Sequence, residues 1–365
     1  MIMLKVAVVG LNETGERYMQ HLLSMEQTEI VGIYDVQPEV ASEWAQRCGC
    51  PTFGSYEALE AALPSNAVLV CIGLSFDSHK PYILQALTSG RHVIARMPAA
   101  VDVADVQEML DTAEASGSQL LFSHPERFYY HNVDLRKRIK AGAIGNIGMI
   151  NVKRYCPYPT SASPQYESDT DGVHWTGGLN GETLEGIKGG ALFHLALHDI
   201  DLLRWTVGEV ANVYAMRTAT EYLDYVLVTL KFENGAIANI EAYWGYPGGY
   251  TSAVEFAGSK GVIRYDSRKT NGLYIHKAAD MRSAQPTKAE FSPSFRQPER
   301  DELVQLLSCI RDGSKPLMTA EDACETLKVV IAAEQSLRTG QPVERSSASA
   351  DSFINGEVGG GGDYA

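Results

Sequence analysis

The sequence predicts an α/β chain of two domains, a parallel sheet wound with helices and then an α/β domain built on a large, mainly antiparallel open sheet. Three observations predict it. At 365 residues the chain is longer than one compact core usually serves. Its first third alternates apolar strand runs with helical patterns, which calls for parallel neighbours joined by crossovers. Beyond residue 123 the segments become β-rich and are joined by short turns such as Glu233-Asn234-Gly235, the mark of antiparallel pairing. The boundaries that follow are 1–123, 124–345 and a Ser/Gly-rich, mobile tail at 346–365.

The first domain opens on KVAVVG (5–10), a continuous apolar run of the kind buried on both faces. A helix is predicted over 16–25 and a second strand at EIVGIYD (29–35). Pro38 opens the next helix, where its missing N–H costs nothing. AVLVCIG (67–73) is another buried strand, and the helix after it closes at Gly90. HVIA (92–95) is a strand that ends in Arg96-Met97-Pro98, and Asp102 caps the following helix with Asp105 in its first turn. SQLLFS (118–123) is placed as a sixth strand.

The second domain begins with a helix over 126–141 that carries Arg127, Arg136, Lys137, Arg138 and Lys140. Six strands follow at MINVKRY (149–155), VANVYAMRT (210–218), DYVLVTLKF (224–232), AIANIEAYW (236–244), TSAVEFAG (251–258) and GVIRYD (261–266). Between the first two lie a Gly-rich loop (156–188) and one strong helix, GGALFHLALHDIDLLRW (189–205). Helices at 299–312 and 320–338 complete the domain. No internal repeat is visible.

Composition narrows the function. Hydrophobic residues make up 45% and charged residues 21%, ordinary for a soluble globular protein. Lys+Arg 31 against Asp+Glu 45 gives a net charge of -14, which argues against a nucleic-acid partner but leaves room for a small anion in a local basic pocket. The six cysteines lack paired CxxC spacing, so neither a zinc knuckle nor a disulfide framework is indicated. MIMLKVAVVG runs straight into a buried strand, and no apolar stretch reaches membrane-spanning length. The expectation is a cytoplasmic protein with no membrane partner.

VVGLNETGERY follows the first strand and opens the first helix, the setting of a dinucleotide fingerprint. Gly10 makes the tight turn and Gly15 the close helix–strand contact, while Asn12 replaces the middle glycine. Asparagine tolerates positive φ, and its side chain either crowds the phosphates or bonds to them. Asp35 ends the second strand, where a carboxylate accepts from an adenosine ribose and repels a 2′-phosphate. NAD is thus favoured over NADP; the alternative is a doubly wound domain that binds no nucleotide.

In the 189–205 helix, His194 and His198 are four residues apart and share a face, with Asp201 near it. Three readings stand. His198 can act as general acid/base, with His194 polarising the substrate oxygen. The pair can ligate a divalent metal, with His174, Glu182 or Glu185 as third ligand. Or both are histidines satisfied within a semi-buried helix. No metal is favoured. Arg96 can hold a substrate carboxylate or phosphate. Tyr155, Tyr158, Tyr166, His174 and Trp175, in or beside the loop, suit stacking on a sugar ring.

On these residues, together with Asp77 and His79, Pro98, Arg127-Phe128, FAGSKGVIRYD and LRTGQPVE, the chain from residue 4 to about 345 resembles the Gfo/Idh/MocA family (glucose–fructose oxidoreductase, inositol dehydrogenase, rhizopine catabolism). The resemblance implies an N-terminal Rossmann domain, an open C-terminal sheet that forms a homo-oligomer (dimer or tetramer), and small-molecule substrates such as sugars and cyclitols. The family's catalytic lysine aligns with Met97 and its aspartate with His194, while its histidine is kept as His198. Relatives without the lysine include active biliverdin reductases and a fungal repressor that turns over nothing. The expected site therefore has His198 and His194 as catalytic residues. Arg96, His124, Arg127, Tyr155, His174 and Trp175 face substrate. Gly10, Asn12, Glu13, Gly15, Asp35, Ser75, His79, Arg96 and Met97 face the cofactor. The leading reading is an NAD-dependent oxidoreductase on a sugar, cyclitol or related compound. The alternatives are a non-catalytic NAD or ligand sensor, and a lyase, epimerase or hydrolase that uses the histidine pair.

Overall fold

The computed structural model describes residues 3–74, 78–157, 184, 188–268, 274–278, 286–290 and 297–345; of 274–278 and 286–290 only the backbone is described. The first domain runs β1 (Leu4–Leu11), α1 (Glu13–Leu23), β2 (Thr28–Tyr34), α2 (Pro38–Cys48), α3 (Tyr56–Ala62), β3 (Val68–Gly73), α4 (His79–Thr88), β4 (Val93–Arg96), α5 (Val103–Ser116) and β5 (Leu120–Ser123). Its strands lie in the order β2-β1-β3-β4-β5, all parallel. The sheet has five described strands, not six. Between α2 and β3 the chain forms α3, which is capped by the Ser55 side chain and packs Leu59 into the core of the first sheet, and adds a single bridge to that sheet between Ile33 and Thr52. α1 starts at Glu13, earlier than predicted, because Asn12 caps it.

The second domain opens with a 3-10 turn (Pro125–Arg127) and α6 (Tyr130–Lys140), so the single helix predicted over 126–141 is broken. After β6 (Ile147–Cys156), a π turn (Leu192–Ala196) runs into α7 (Leu197–Val207). Then come β7 (Val210–Ala219), β8 (Asp224–Phe232), β9 (Ile237–Trp244), β10 (Thr251–Gly258), β11 (Gly261–Asp266), β12 (Tyr274–Ala278), β13 (Pro286–Glu290), α8 (Pro298–Asp312), α9 (Ala320–Thr339) and β14 (Val343–Glu344). The nine strands order as β13-β12-β11-β10-β6-β9-β8-β7-β14. All neighbours are antiparallel except β6 and β9, which pair in parallel from Met149↔Ile237 to Cys156↔Trp244.

Period-two alternation divides this sheet into two faces. In β6, Ile150, Val152, Arg154 and Cys156 are buried, while Met149, Asn151, Lys153 and Tyr155 lie on the opposite face. The buried face continues through Val226, Val228 and Leu230 of β8 and Ala238, Ile240 and Trp244 of β9, in one core with Leu197 and Ile200 of α7 and Leu327 and Val330 of α9. α8 does something different. Leu303, Leu306 and Leu307 join Val6, Val8, Tyr18, Met19 and Trp44 in the core on the far side of the first sheet. The chain thus returns to its first domain, and this brings Glu302 beneath the ends of β4 and β5, where Arg96 and Ser123 are paired. Among the described residues no helix is long and apolar enough to cross a membrane.

Candidate active site

Three glycines close the nucleotide corner. Gly10 turns with φ 84, a conformation L side chains avoid. A Cβ on Gly15 would stand 2.4 Å from the Gly10 carbonyl oxygen, and one on Gly73 2.2 Å from the same atom. Gly73 ends β3, and the fingerprint spacing gives no hint of it. Asn12 adopts φ -61, so its tolerance of positive φ is not called upon. Its Oδ1 accepts from Gly15 N–H at 3.1 Å, so the side chain sits over the helix N-terminus. Asp35 is buried, and its carboxylate accepts from Leu11 N–H (2.7 Å) and Gln37 N–H (2.8 Å). A carboxylate has about four acceptor positions, so two remain for ribose hydroxyls. The glycine cradle, the helix N-terminus and Asp35 fit an NAD molecule.

At the carboxyl ends of β4 and β5, Arg96 pairs with Ser123, and His124 follows directly. This is where open α/β sheets bind their ligands. Arg96 is half-buried and donates to Thr14 Oγ1 at 2.7 Å, which ties it to the first turn of α1. Met97, 3% exposed, sits in the apolar cluster with Ala95, Ala99 and Ala100. Beneath them Glu302 accepts from Tyr18 Oη (2.6 Å), Ser123 Oγ (2.8 Å) and the His124 backbone N–H. Burial pushes this carboxyl up to about 7, even though the three donors pull the other way.

α7 supplies the rest. The His198 ring stacks on His124 with centroids 5.1 Å apart and planes 22° apart. Both residues are buried, and Nδ1 of each has no hydrogen-bond partner among the described residues. His124 Nε2 lies 3.2 Å from Asp201 Oδ2, a charge contact rather than an aligned hydrogen bond. Burial, then His124, Arg154 and Arg96, push the His198 imidazole well below its ordinary value, while Asp201 pulls weakly the other way. His198 is therefore neutral at pH 7 and able to accept a proton. Asp199 pairs with Arg154 through two bonds of 2.8 and 2.9 Å, and Arg154 reaches on to Glu126 at 3.0 Å.

The predicted residues divide. The structure brings together His198 and His124, places Arg96 at the end of β4 opposite Ser123, and sets the His194 ring against Trp244 with centroids 4.9 Å apart and planes tilted by 46°. Arg127, expected at substrate, is instead 1% exposed. It grips Asp201 through two bonds of 2.7 and 2.8 Å and donates to Asp322 and the Leu317 carbonyl. Tyr155, expected to face substrate, points to the other face of the sheet because Arg154 takes the inner position; its hydroxyl donates to Glu241. There, with Tyr225, Tyr243, Tyr246 and Arg268, it lines a cavity of about 610 Å³. His79, expected at the nicotinamide or as a cap, is buried, with Nε2 3.1 Å from the Leu74 carbonyl oxygen and Ser78 at the cap position. Among the described residues no set of three His, Cys, Asp or Glu is arranged to hold a metal ion. Ser75, Asp77, Tyr158, Tyr166, His174, Trp175, Glu182, Glu185, the Glu13 side chain and the 346–365 tail lie outside the described residues. Sequence reasoning missed Glu302, Tyr18, Arg154, Asp199 and Trp244. Only Trp244 carried a local signal, as the inward position of a strand next to the outward Tyr243.

Family models match both halves of the chain. The NAD-binding Rossmann fold of an oxidoreductase family covers residues 4–124, and the C-terminal alpha/beta domain of the same family covers 136–344. The chain is 25% identical to scyllo-inositol 2-dehydrogenase (NAD(+)) of Bacillus subtilis, over 93% of this chain and 96% of that protein. It is 23% identical to myo-inositol 2-dehydrogenase of Thermotoga maritima, over 93% and 98%. Among solved structures, GenD2 from gentamicin A biosynthesis in complex with NAD superposes with TM-score 0.75 at 20% identity, over 94% of this chain and 97% of that one. With both of its domain models matched in order along this sequence, the chain belongs to the Gfo/Idh/MocA oxidoreductase family and carries its NAD-binding Rossmann domain.

Proposed function

We propose that this protein is an NAD-dependent oxidoreductase acting on a sugar, cyclitol or related hydroxyl/carbonyl compound, with His198 and His194 in place of the family's lysine and aspartate. The observation that carries the reading is a buried, neutral His198 stacked at the carboxyl ends of β4 and β5, beside an intact glycine corner. Gly10, Gly15, Asp35 and the N-terminus of α1 would hold NAD, which when bound supplies the hydride acceptor and donor. His198 takes the proton of a substrate hydroxyl during oxidation and returns it during reduction. His194, half-buried near Trp244, orients the substrate oxygen. Arg96 keeps guanidinium nitrogens beyond its bond to Thr14 and holds an anionic or polar substrate group. The inositol dehydrogenases among the relatives favour cyclitols as first candidates.

The test begins with calorimetry of NAD and NADH on the wild type and Asp35→Ala, followed by a screen of inositols, sugars and their oxidised forms. Binding that weakens at least tenfold in the variant is expected, since a charge-assisted ribose contact is worth about 1.5–3 kcal/mol. Wild-type protein that binds neither nucleotide would overturn the reading. His198→Gln is expected to keep nucleotide affinity and lose turnover.

A further inference from the structure

His124 and His198 are 74 residues apart, and nothing in their spacing links them. The fold stacks them, and only His124 stands beside a carboxylate. We propose that His124 is a positioning residue for His198: held against Asp201, its ring stacks on the His198 ring and keeps that imidazole free to accept a proton from substrate. This rests on the reading of His198 as the proton-transfer residue.

The geometry on both sides supports the assignment. Asp201 is immobilised: Arg127 holds both of its oxygens at 2.7 and 2.8 Å, and Thr326 Oγ1 donates to Oδ1 at 3.0 Å. Burial opposes its charge, but His124 and Arg127 outweigh that and keep the carboxyl well below the usual carboxylate range. His124 is fixed through its backbone, whose N–H donates to Glu302 on α8. Its side chain and that of Asp201 are both fully buried. The His124 ring, 5.1 Å away, disfavours a positive charge on His198. Arg154 from β6 and Arg96 from β4 also disfavour a positive charge on His198, while Asp201 favours one. Arg154 is compensated by Asp199 and Glu126, and Glu302 lies on the His124 side. The arrangement yields a neutral base in a site rich in cations.

Two measurements test this. In wild-type protein with labelled histidines, a titration followed by NMR is expected to protonate the His198 ring well below the range of an ordinary histidine. A His198 ring that titrates as an ordinary histidine would overturn the proposal. In His124→Phe the ring stack persists without its charge, and the His198 titration and the acid limb of kcat/KM should both move up by about one pH unit. An unchanged His198 titration in folded His124→Phe would also overturn it. Because the titration needs no turnover, it still decides the question if His198→Gln proves fully active, a result that would instead sink the proton-transfer reading.

Discussion

Asn12 stands where the fingerprint expects glycine, and its Oδ1 already accepts the Gly15 N–H at the helix end that a pyrophosphate approaches. Glycine is nearly as good a cap as asparagine, within a few tenths of a kcal/mol. Asn12→Gly is therefore expected to leave Tm almost unchanged and to lower the Kd for NAD several-fold by calorimetry; weaker binding would show that Asn12 contacts the cofactor productively. Met97 poses the converse case. It is 3% exposed among apolar neighbours, so a lysine there would carry an amine into a site that does not solvate it. Met97→Lys should lower Tm by several degrees and bring no gain in turnover, because the base it would restore is replaced by His198. A gain would mean that an ordinary family site lies intact beneath one substitution. At this scale the sequence exposed what depends on spacing: Gly10, Gly15 and Asp35 of the nucleotide corner. It concealed what depends on packing. Glu302 meets Ser123 across 179 positions and Arg154 meets Asp199 across 45, and no local pattern records such pairs.

The helix that bears the histidines starts in an unusual way. Gly189 and Gly190 both take positive φ, and the π turn follows at once. The start is held by Asp224 of β8, which is fully buried, accepts from Ala191 N–H at 2.7 Å and is gripped by Arg217 through two bonds of 2.7 Å. A Cβ on Gly190 would stand 2.1 Å from Asp224 Oδ2. Gly190→Ala should thus cost about 1–3 kcal/mol from the φ penalty and the displaced carboxylate together, and it should reduce turnover by misplacing His194. Chemical denaturation and a turnover assay read the two effects, and a fully stable, fully active variant would contradict this account of the π turn. α8 supports a second prediction. Glu302 is pushed up to about 7, above the value of an exposed glutamate near 4.3, so the folded state binds its proton more tightly than the unfolded chain does. The stability of wild type relative to Glu302→Gln should therefore fall as pH rises from about 4 to about 7, by roughly 3 kcal/mol in all, and stay level outside that window. A difference that rises with pH would mean that the three donors outweigh burial.

For the whole molecule, most of the architecture was legible because hydrophobic periodicity is enforced by burial at every residue of a strand or helix. The parallel first sheet, the mostly antiparallel second sheet and both closing helices occur where the patterns put them. Two features were not legible. The parallel β6–β9 pairing joins strands that are far apart in sequence, and α8 is amphipathic whichever domain it covers. Among the described residues, no element of this chain covers the outer face of the nine-stranded sheet. Along it run Met149 of β6, Ile237 of β9 and Met216 of β7, at 37%, 47% and 49% exposure, with Tyr225, Leu227 and Tyr243 between them. A broad, partly apolar sheet face of this kind is costly to leave in water, and a twofold axis would bury the same patch on both copies. We propose that two copies of the chain pack these faces together, as a dimer or as half of a tetramer. Light scattering on the wild type should return a multiple of 39.9 kDa. The double variant Met216→Glu/Ile237→Glu places like charges across such an interface and should shift the mass to that of one chain, with the fold retained by circular dichroism. A wild type that stays monomeric at micromolar concentration would assign the exposed face to another role. A variant that keeps the wild-type mass would move the interface elsewhere on the molecule.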